Sequence, residues 1–190
     1  MQKAAIIILI SVVLICLGKV SFAQRKEKEK ESKDPGKITW MSFEEAYQKN
    51  KKKPKKVFID VYTDWCGWCK KMDAETFTDP AVVKYMTQHF YCVKLNAERK
   101  DTVVIDNVTF INPNPDSHRS THQLANELLR GNMSYPSYVF LNEKSQWLTV
   151  VQGYQSVKDF IPILHYFGED AYIKTPWEEY KSKYLDDNTK

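Results

Sequence analysis

Two cysteines stand two residues apart in Trp65-Cys66-Gly67-Trp68-Cys69-Lys70, directly after the apolar run Val57-Phe58-Ile59-Asp60-Val61-Tyr62. Thiols at this spacing can close and open a local disulfide. Where a strand hands over to a helix, the free N–H groups and macrodipole of the helix start favour thiolate over thiol. Cys66, at that start, is therefore expected to be the attacking sulfur. Cys69, one turn further in, is expected to resolve the mixed disulfide. A Cys-x-x-Cys pair is also half of a zinc site, but zinc usually takes four N or S ligands. No second such pair accompanies this one, and His89, His118, His122 and His165 are scattered. The pattern predicts redox chemistry with no metal, and no cofactor beyond the Cys66–Cys69 disulfide itself.

The elements that must position this pair show in caps and periodicity. Ser42 followed by Glu45 is a capping box, opening a helix through Phe43, Ala46 and Tyr47. Val57 to Tyr62 is a nearly continuous apolar strand, the pattern of a sheet covered on both faces. Asp79-Pro80 supplies an N-cap and an N1 proline for a helix through Val82, Val83 and Met86. The strand at Tyr91 to Leu95 then completes a β-α-β unit with a parallel sheet centre. Asp106-Asn107 sits between two β-rich runs, Thr102 to Ile105 and Val108 to Ile111, which predicts a hairpin. A rigid loop follows at Asn112-Pro113-Asn114-Pro115-Asp116. Ser120 and Gln123 are expected to cap the next helix, with Leu124, Leu128 and Leu129 on one face and Gly131 ending it. Tyr138 to Leu141 and Trp147 to Val151 make a closing antiparallel hairpin through Asn142-Glu143-Lys144-Ser145. Ser156 and Asp159 open a helix in which Pro162 should remove one hydrogen bond and introduce a bend. Thr175-Pro176-Trp177-Glu178 is a further helix start, so the tail is expected to fold back, anchored by Trp177 and Tyr180. No internal repeat is evident.

With these residues in hand, the chain from roughly Ile38 to Gly168 resembles the thioredoxin superfamily of thiol–disulfide oxidoreductases, in a secreted form. Asp60, six residues before Cys66, matches the buried acid beneath the active site of thioredoxins, and Lys94 matches the lysine that faces that acid. Pro136, in Ser134-Tyr135-Pro136-Ser137, matches the family's cis-proline before an apolar strand, and Gly153 the glycine preceding the last helix. The stretch from Asp64 through Cys66 to Thr78-Asp79-Pro80 is also similar to the periplasmic thioredoxin-like domain of membrane-embedded disulfide reductases. The resemblance implies an α/β fold with a central mixed β-sheet and helices on both faces. It implies Cys66, Cys69, Asp60 and Lys94 as catalytic residues, Asp60 accepting the Cys69 proton through water with a pKa raised by burial. Cys69 is expected to be the more buried sulfur. Trp65, Gly67, Trp68, Tyr135 and Pro136 are the implied substrate contacts, the Tyr135 backbone pairing with an extended segment. Of the two tryptophans, Trp65 is the better candidate for simple packing on the helix. Trp68 departs from the proline that thioredoxins carry there. Lys70 and Lys71 should favour the thiolate while Asp64 and Asp73 oppose it, so the intervening residues leave the direction of electron flow open.

The two ends read differently from this domain. Lys3, the apolar stretch Ala4 to Leu17 and Ser21-Phe22-Ala23 form a signal-peptide pattern over residues 1–23. The apolar run is short for a membrane span, which makes an uncleaved anchor the lesser reading. Residues 24–37 alternate Lys with Glu and are expected to be a charged, solvated linker. The thioredoxin-like domain is assigned to residues 38–168, with an insertion at about 98–119, and residues 169–190 to a C-terminal helical extension. Removal of the signal takes Cys16 away and leaves Cys92 as an unpaired thiol, expected in a buried strand. The run Lys49 to Lys56 is the strongest basic cluster, yet the formal net charge is only +4 and no nucleic-acid motif accompanies it. A solvated loop is expected there and no nucleic-acid partner, with anionic lipid or an acidic protein as the fallback.

These readings combine into an exported thiol–disulfide oxidoreductase, periplasmic or secreted, that reduces disulfide-containing exported proteins and is recharged by a membrane-linked electron donor. A disulfide oxidase or isomerase, and a thioredoxin-like binding module without turnover, are the alternatives.

Overall fold

Alternation along one central strand decides what lies beneath the cysteines. In the computed structural model, which describes residues 36–188, the chain runs β1 (Trp40–Met41), α1 (Phe43–Lys52), β2 (Lys56–Tyr62), α2 (Gly67–Lys71), α3 (Pro80–His89) and β3 (Phe90–Asn96). It continues through β4 (Val103–Ile105), β5 (Val108–Phe110), α4 (Gln123–Leu128), β6 (Ser137–Leu141), β7 (Trp147–Gln152), α5 (Val157–Gly168) and α6 (Trp177–Asn188). The five-stranded sheet has the order β1-β3-β2-β6-β7. β2 pairs parallel with β3 and antiparallel with β6, and β7 closes the antiparallel edge. The signal-peptide residues, and the linker up to residue 35, lie outside the described residues.

Successive β2 side chains point to opposite faces. Val57, Ile59 and Val61 join Phe43 and Ala46 of α1 and Leu124 and Leu128 of α4 in one core. Phe58 enters the other core with Met72, Val82, Met86, Tyr138, Phe140 and Phe160. Asp60, two residues after Phe58, is directed to that second face, where α2 brings the cysteines. This two-sided burial is why β2 reads as almost uninterrupted apolar sequence.

The local start signals act as their chemistry dictates. Ser42 accepts from the Glu45 N–H at 3.1 Å, Asp79 from Ala81 at 2.9 Å, and Ser156 from Asp159 at 3.3 Å. Asp106 and Asn107 both take left-handed φ, at 46° and 66°, closing the β4–β5 hairpin, and the Asp106 carboxylate ties it to Tyr47 and Lys51 of α1. The α4 cap differs from expectation. His122 caps it, Nδ1 accepting from the Leu124 N–H at 3.1 Å, while Ser120 donates to Asn112 and Gln123 accepts from the Ile111 N–H. A buried imidazole whose Nε2 lies 3.0 Å from the Asp101 carbonyl outcompetes the hydroxyl. Helix α5 runs unbroken through the buried Pro162.

Four lysines of the basic run are paired within the fold: Lys49 with Glu45, Lys51 with Asp106, and Lys56 with Glu143 and Asp170, while Lys55 donates to the Thr87 carbonyl; Lys52 and Lys53 are exposed. The tail folds back as α6. Trp177 and Tyr180 meet the Tyr166 ring at 5.1 and 5.0 Å, and the Tyr166 hydroxyl holds the Thr175 carbonyl. No helix among the described residues is long and apolar enough to cross a membrane.

Candidate active site

The handover from β2 to α2 places the sulfurs. The Cys66 N–H donates to the Thr63 carbonyl at 3.1 Å, which turns the chain, and Cys66 becomes the N-cap of α2. Its Sγ accepts the Cys69 N–H at 3.1 Å, so the first turn of the helix offers Cys66, rather than Cys69, a donor that a thiolate would use. The two cysteines are joined as a disulfide. They are buried almost alike in the disulfide, at 4% and 3% exposure, so the expected greater burial of Cys69 is a difference of one point. It is the backbone donor, rather than depth, that tells the two sulfurs apart.

The strand that leads to the cysteines carries a buried charge cluster. Asp60, 1% exposed, accepts from Lys94 Nζ at 2.6 Å. Burial pushes its carboxyl up to about 6, with Lys94 pulling in the opposite direction. The Lys94 ammonium also pairs with Asp73 and sits over the rings of Trp40, Tyr62 and Phe77 at 4.9–5.5 Å. Burial alone would lower its pKa, but the two carboxylates more than compensate and the net shift is upward. Asp73, which the sequence sets against the thiolate, pairs with Lys94. The cause is a π-helical turn at Met72–Thr76, which continues α2 with a wider helix and carries Asp73 toward β3. The other Asp60 oxygen, Oδ1, and the hydroxyls of Thr63 and Tyr138 are buried without a hydrogen-bond partner among the described residues. Tyr138 stands directly opposite Asp60 in the β2–β6 register, so two of these polar atoms share the interior face under the sulfurs.

Above the disulfide stand two aromatic walls. Trp68, 58% exposed, meets Tyr154 at 5.5 Å, and Lys71 covers the Trp68 and Tyr154 rings at 5.4 and 4.9 Å. Glu75 joins Lys71 to the Tyr154 hydroxyl. Trp65, 46% exposed, packs edge-on against Tyr135 at 5.9 Å, immediately before Pro136, whose peptide bond is cis. Trp65 is held from outside its own helix: its Nε1 donates to Glu98 at 2.9 Å and Arg119 lies over its face at 4.7 Å. Glu98 and Arg119 escaped the sequence reading because no local pattern joins them to position 65. A Cβ on Gly67 would meet nothing within 4 Å, so the approach to the pair between the walls is open there. Gly153 takes a φ of +84° and donates to the Pro136 carbonyl at 2.8 Å, a left-handed turn that suits glycine and braces the proline.

Cys92 stays outside this chemistry. It is buried in β3, and desolvation pushes its thiol up to about 12, so it remains protonated and inert near neutrality. Of the residues named from the sequence, Cys66 is joined to Cys69, Asp60 pairs with Lys94, and Trp65 packs against Tyr135, while Trp68 meets Tyr154 instead. The cysteine pair can exchange a dithiol for a disulfide.

The family model described as a thioredoxin-like domain matches residues 43–168. Spermatogenesis-associated protein 20 of Mus musculus is 31% identical over 75 residues, covering 39% of this chain and 10% of that protein. The thiol:disulfide interchange protein DsbD of Pectobacterium atrosepticum is 43% identical over 37 residues, 20% of this chain and 6% of that protein. The chain thus spans a tenth or less of the length of these curated relatives. A thioredoxin from Thermus thermophilus has the same fold, with a TM-score of 0.51 at 16% identity over 72% of this chain and 88% of that one. Since the family match takes in well over half of the sequence, the protein belongs to the thioredoxin-like domain family, with a thiol–disulfide oxidoreductase site at Cys66–Cys69.

Proposed function

We propose that the protein is exported and reduces disulfides in exported proteins, drawing electrons from a membrane-linked dithiol donor and needing no cofactor besides its own cysteines. The observation that carries the reducing direction is that, among the described residues, no cationic side chain donates to the attacking sulfur. A strong oxidant stabilises its reduced form, chiefly the attacking thiolate. Here Cys66 Sγ accepts one backbone N–H, and among the described residues no lysine, arginine or histidine hydrogen-bonds to it. Lys94 is committed to Asp60 and Asp73, and Lys71 to Glu75 and two rings. A thiolate stabilised only modestly keeps the pair willing to give up its electrons. The likeness to part of DsbD supports the proposed donor, and the signal-peptide pattern supports export.

In this reading the reduced pair begins with Cys66 as thiolate. Its sulfur attacks one sulfur of the substrate disulfide, and the other leaves as a thiolate that takes a proton from water. Cys69 then loses its proton to the Asp60 carboxylate and attacks Cys66 Sγ. The mixed disulfide breaks, the second substrate sulfur leaves, and two electrons have passed to the substrate. Lys94 holds Asp60 and limits how far burial raises its pKa, keeping it a base near neutrality. Trp65, Trp68, Tyr135 and Pro136 border the groove in which the substrate segment lies.

The test is the equilibrium reduction potential of Cys66–Cys69 in the mature protein. A value below about −230 mV agrees with reduction, and one above about −180 mV overturns it in favour of an oxidase or isomerase. Cys69→Ser should accumulate mixed disulfides visible on non-reducing gels, and Cys66→Ser should not. Absence of any cycling would leave a binding module.

A further inference from the structure

The two walls of the groove are built from different parts of the chain. The Trp68 wall is local, since Lys71 and Glu75 belong to the same helical segment. The Trp65 wall is held by Glu98 and Arg119, close to the two ends of the segment between β3 and α4. That segment is a closed structure. The His122 N–H meets the Ala97 carbonyl at 2.8 Å, and Asn112 Nδ2 bridges the Arg99 and Ser120 carbonyls at 3.2 and 2.9 Å. Arg99 is fastened to Glu44 and Asp101. Arg119 itself takes a left-handed φ of 61°, a posture that a non-glycine residue keeps only when its surroundings enforce it.

Arg119 differs from Arg99 in one respect that matters for binding. Its guanidinium lies on the exposed face of Trp65, and among the described residues no carboxylate forms an ion pair with it. The nearby acids are engaged elsewhere: Glu98 accepts the indole N–H at the ring edge and Asp64 accepts from Asn96. An exposed guanidinium with open donors beside a sulfur-exchange site fits a carboxylate, which it can hold in bidentate fashion.

We propose that this wall selects the partner, and that it fits an extended polypeptide carrying an acidic residue beside the cysteine that Cys66 attacks. The inference rests on the proposed exchange at Cys66–Cys69. Glu98 is the positioning residue that fixes the indole, and Arg119 the contact that reads the charge. The segment between β3 and α4 thereby supplies the specificity, while the strand–helix junction supplies the chemistry.

The probes are three short disulfide-linked peptides, identical except for Glu, Gln or Lys next to the cysteine, reduced under donor-saturated conditions. The wild type should reduce the Glu peptide with a kcat/KM about five-fold above the Gln peptide, as expected of one exposed ion pair. The Lys peptide should be slower again, the differences lying in KM and shrinking at high salt. Arg119→Ala should level the three, and Arg119→Lys should restore part of the order. Equal rates for the three peptides in the wild type, or an order that survives Arg119→Ala, would overturn the proposal and leave the exchange reading standing. If the wild type reduced none of the three, the exchange reading would fall first and this inference with it. Arg119 is exposed, so its variants should melt with the wild type, which a thermal scan checks.

Discussion

Lys56 and Lys94 occupy two neighbouring strands, and each is ion-paired to two carboxylates. At the Lys56 site the cation is the buried partner: its side chain is 6% exposed while Glu143 and Asp170 are each 44% exposed. At the Lys94 site an anion is buried, with Asp60 at 2% and Lys94 at 21%. The inversion separates a clamp from a working group. A lysine starts near pKa 10.4, so a buried and doubly paired one remains charged at any physiological pH and simply fastens the tail and the β6–β7 turn to β2. An aspartate starts near 4, and burial carries it up to about 6, within reach of neutral titration. The same composition, a lysine with two acids, yields proton chemistry only where the acid is the member taken out of water.

Three variants test that contrast, and the largest effect belongs to Asp60→Asn. Losing the acceptor for the Cys69 proton should slow disulfide reduction at pH 7 by on the order of 100-fold, and should abolish the rise in rate that the wild type shows through about pH 6. Stopped-flow traces of the resolving step across pH 5 to about 8 give both readings; an unchanged inflection would mean that another group titrates there. Next in size is Lys94→Met. Without the opposing positive charge, the Asp60 carboxyl should rise further, and the rate inflection should move upward by about one pH unit or more.

Stability should move in the opposite sense to rate. Because the folded Asp60 holds its proton more tightly than the ordinary value of 3.8, the native state binds more protons than the unfolded chain between about 4 and 6. Its contribution to stability is complete below that window and is lost as pH rises through about 6. Urea unfolding should therefore find Asp60→Asn more stable than the wild type at pH 7, by on the order of 1–3 kcal/mol, with the gap closing toward pH 4. The smallest effect is that of Lys56→Met. Its two partners face water and stay solvated, so unfolding should be easier by about 1 kcal/mol, and the pH dependence of the exchange rate should not move. A shifted profile in Lys56→Met would erase the distinction between clamp and working group.

Much of this was legible before the fold was known, and the reason is range. The Cys-x-x-Cys pair, the Ser42, Asp79 and Ser156 caps, the Asp106-Asn107 turn and the β2 run all depend on neighbours within a few residues. Asp60 and Lys94 were named only through resemblance, and their partnership across the β2–β3 register is a product of strand pairing. The Ser120 cap failed because a hydroxyl and an imidazole two residues apart compete for one helix start. A network reaching to Asp101 and Asn112 decides between them.

What the amino-acid sequence determines by itself is the reactive pair and the local geometry that offers Cys66 a helix-start donor, because backbone N–H groups and side-chain caps act over one turn. What only the tertiary structure decides is the setting of that pair. A π-helical turn carries Asp73, which pairs with Lys94, and burial lifts Asp60 toward neutrality. A segment more than thirty residues away in sequence fixes Trp65 under Arg119. Desolvation and charge pairing depend on everything that surrounds a group in space, and no spacing along the chain encodes that sum.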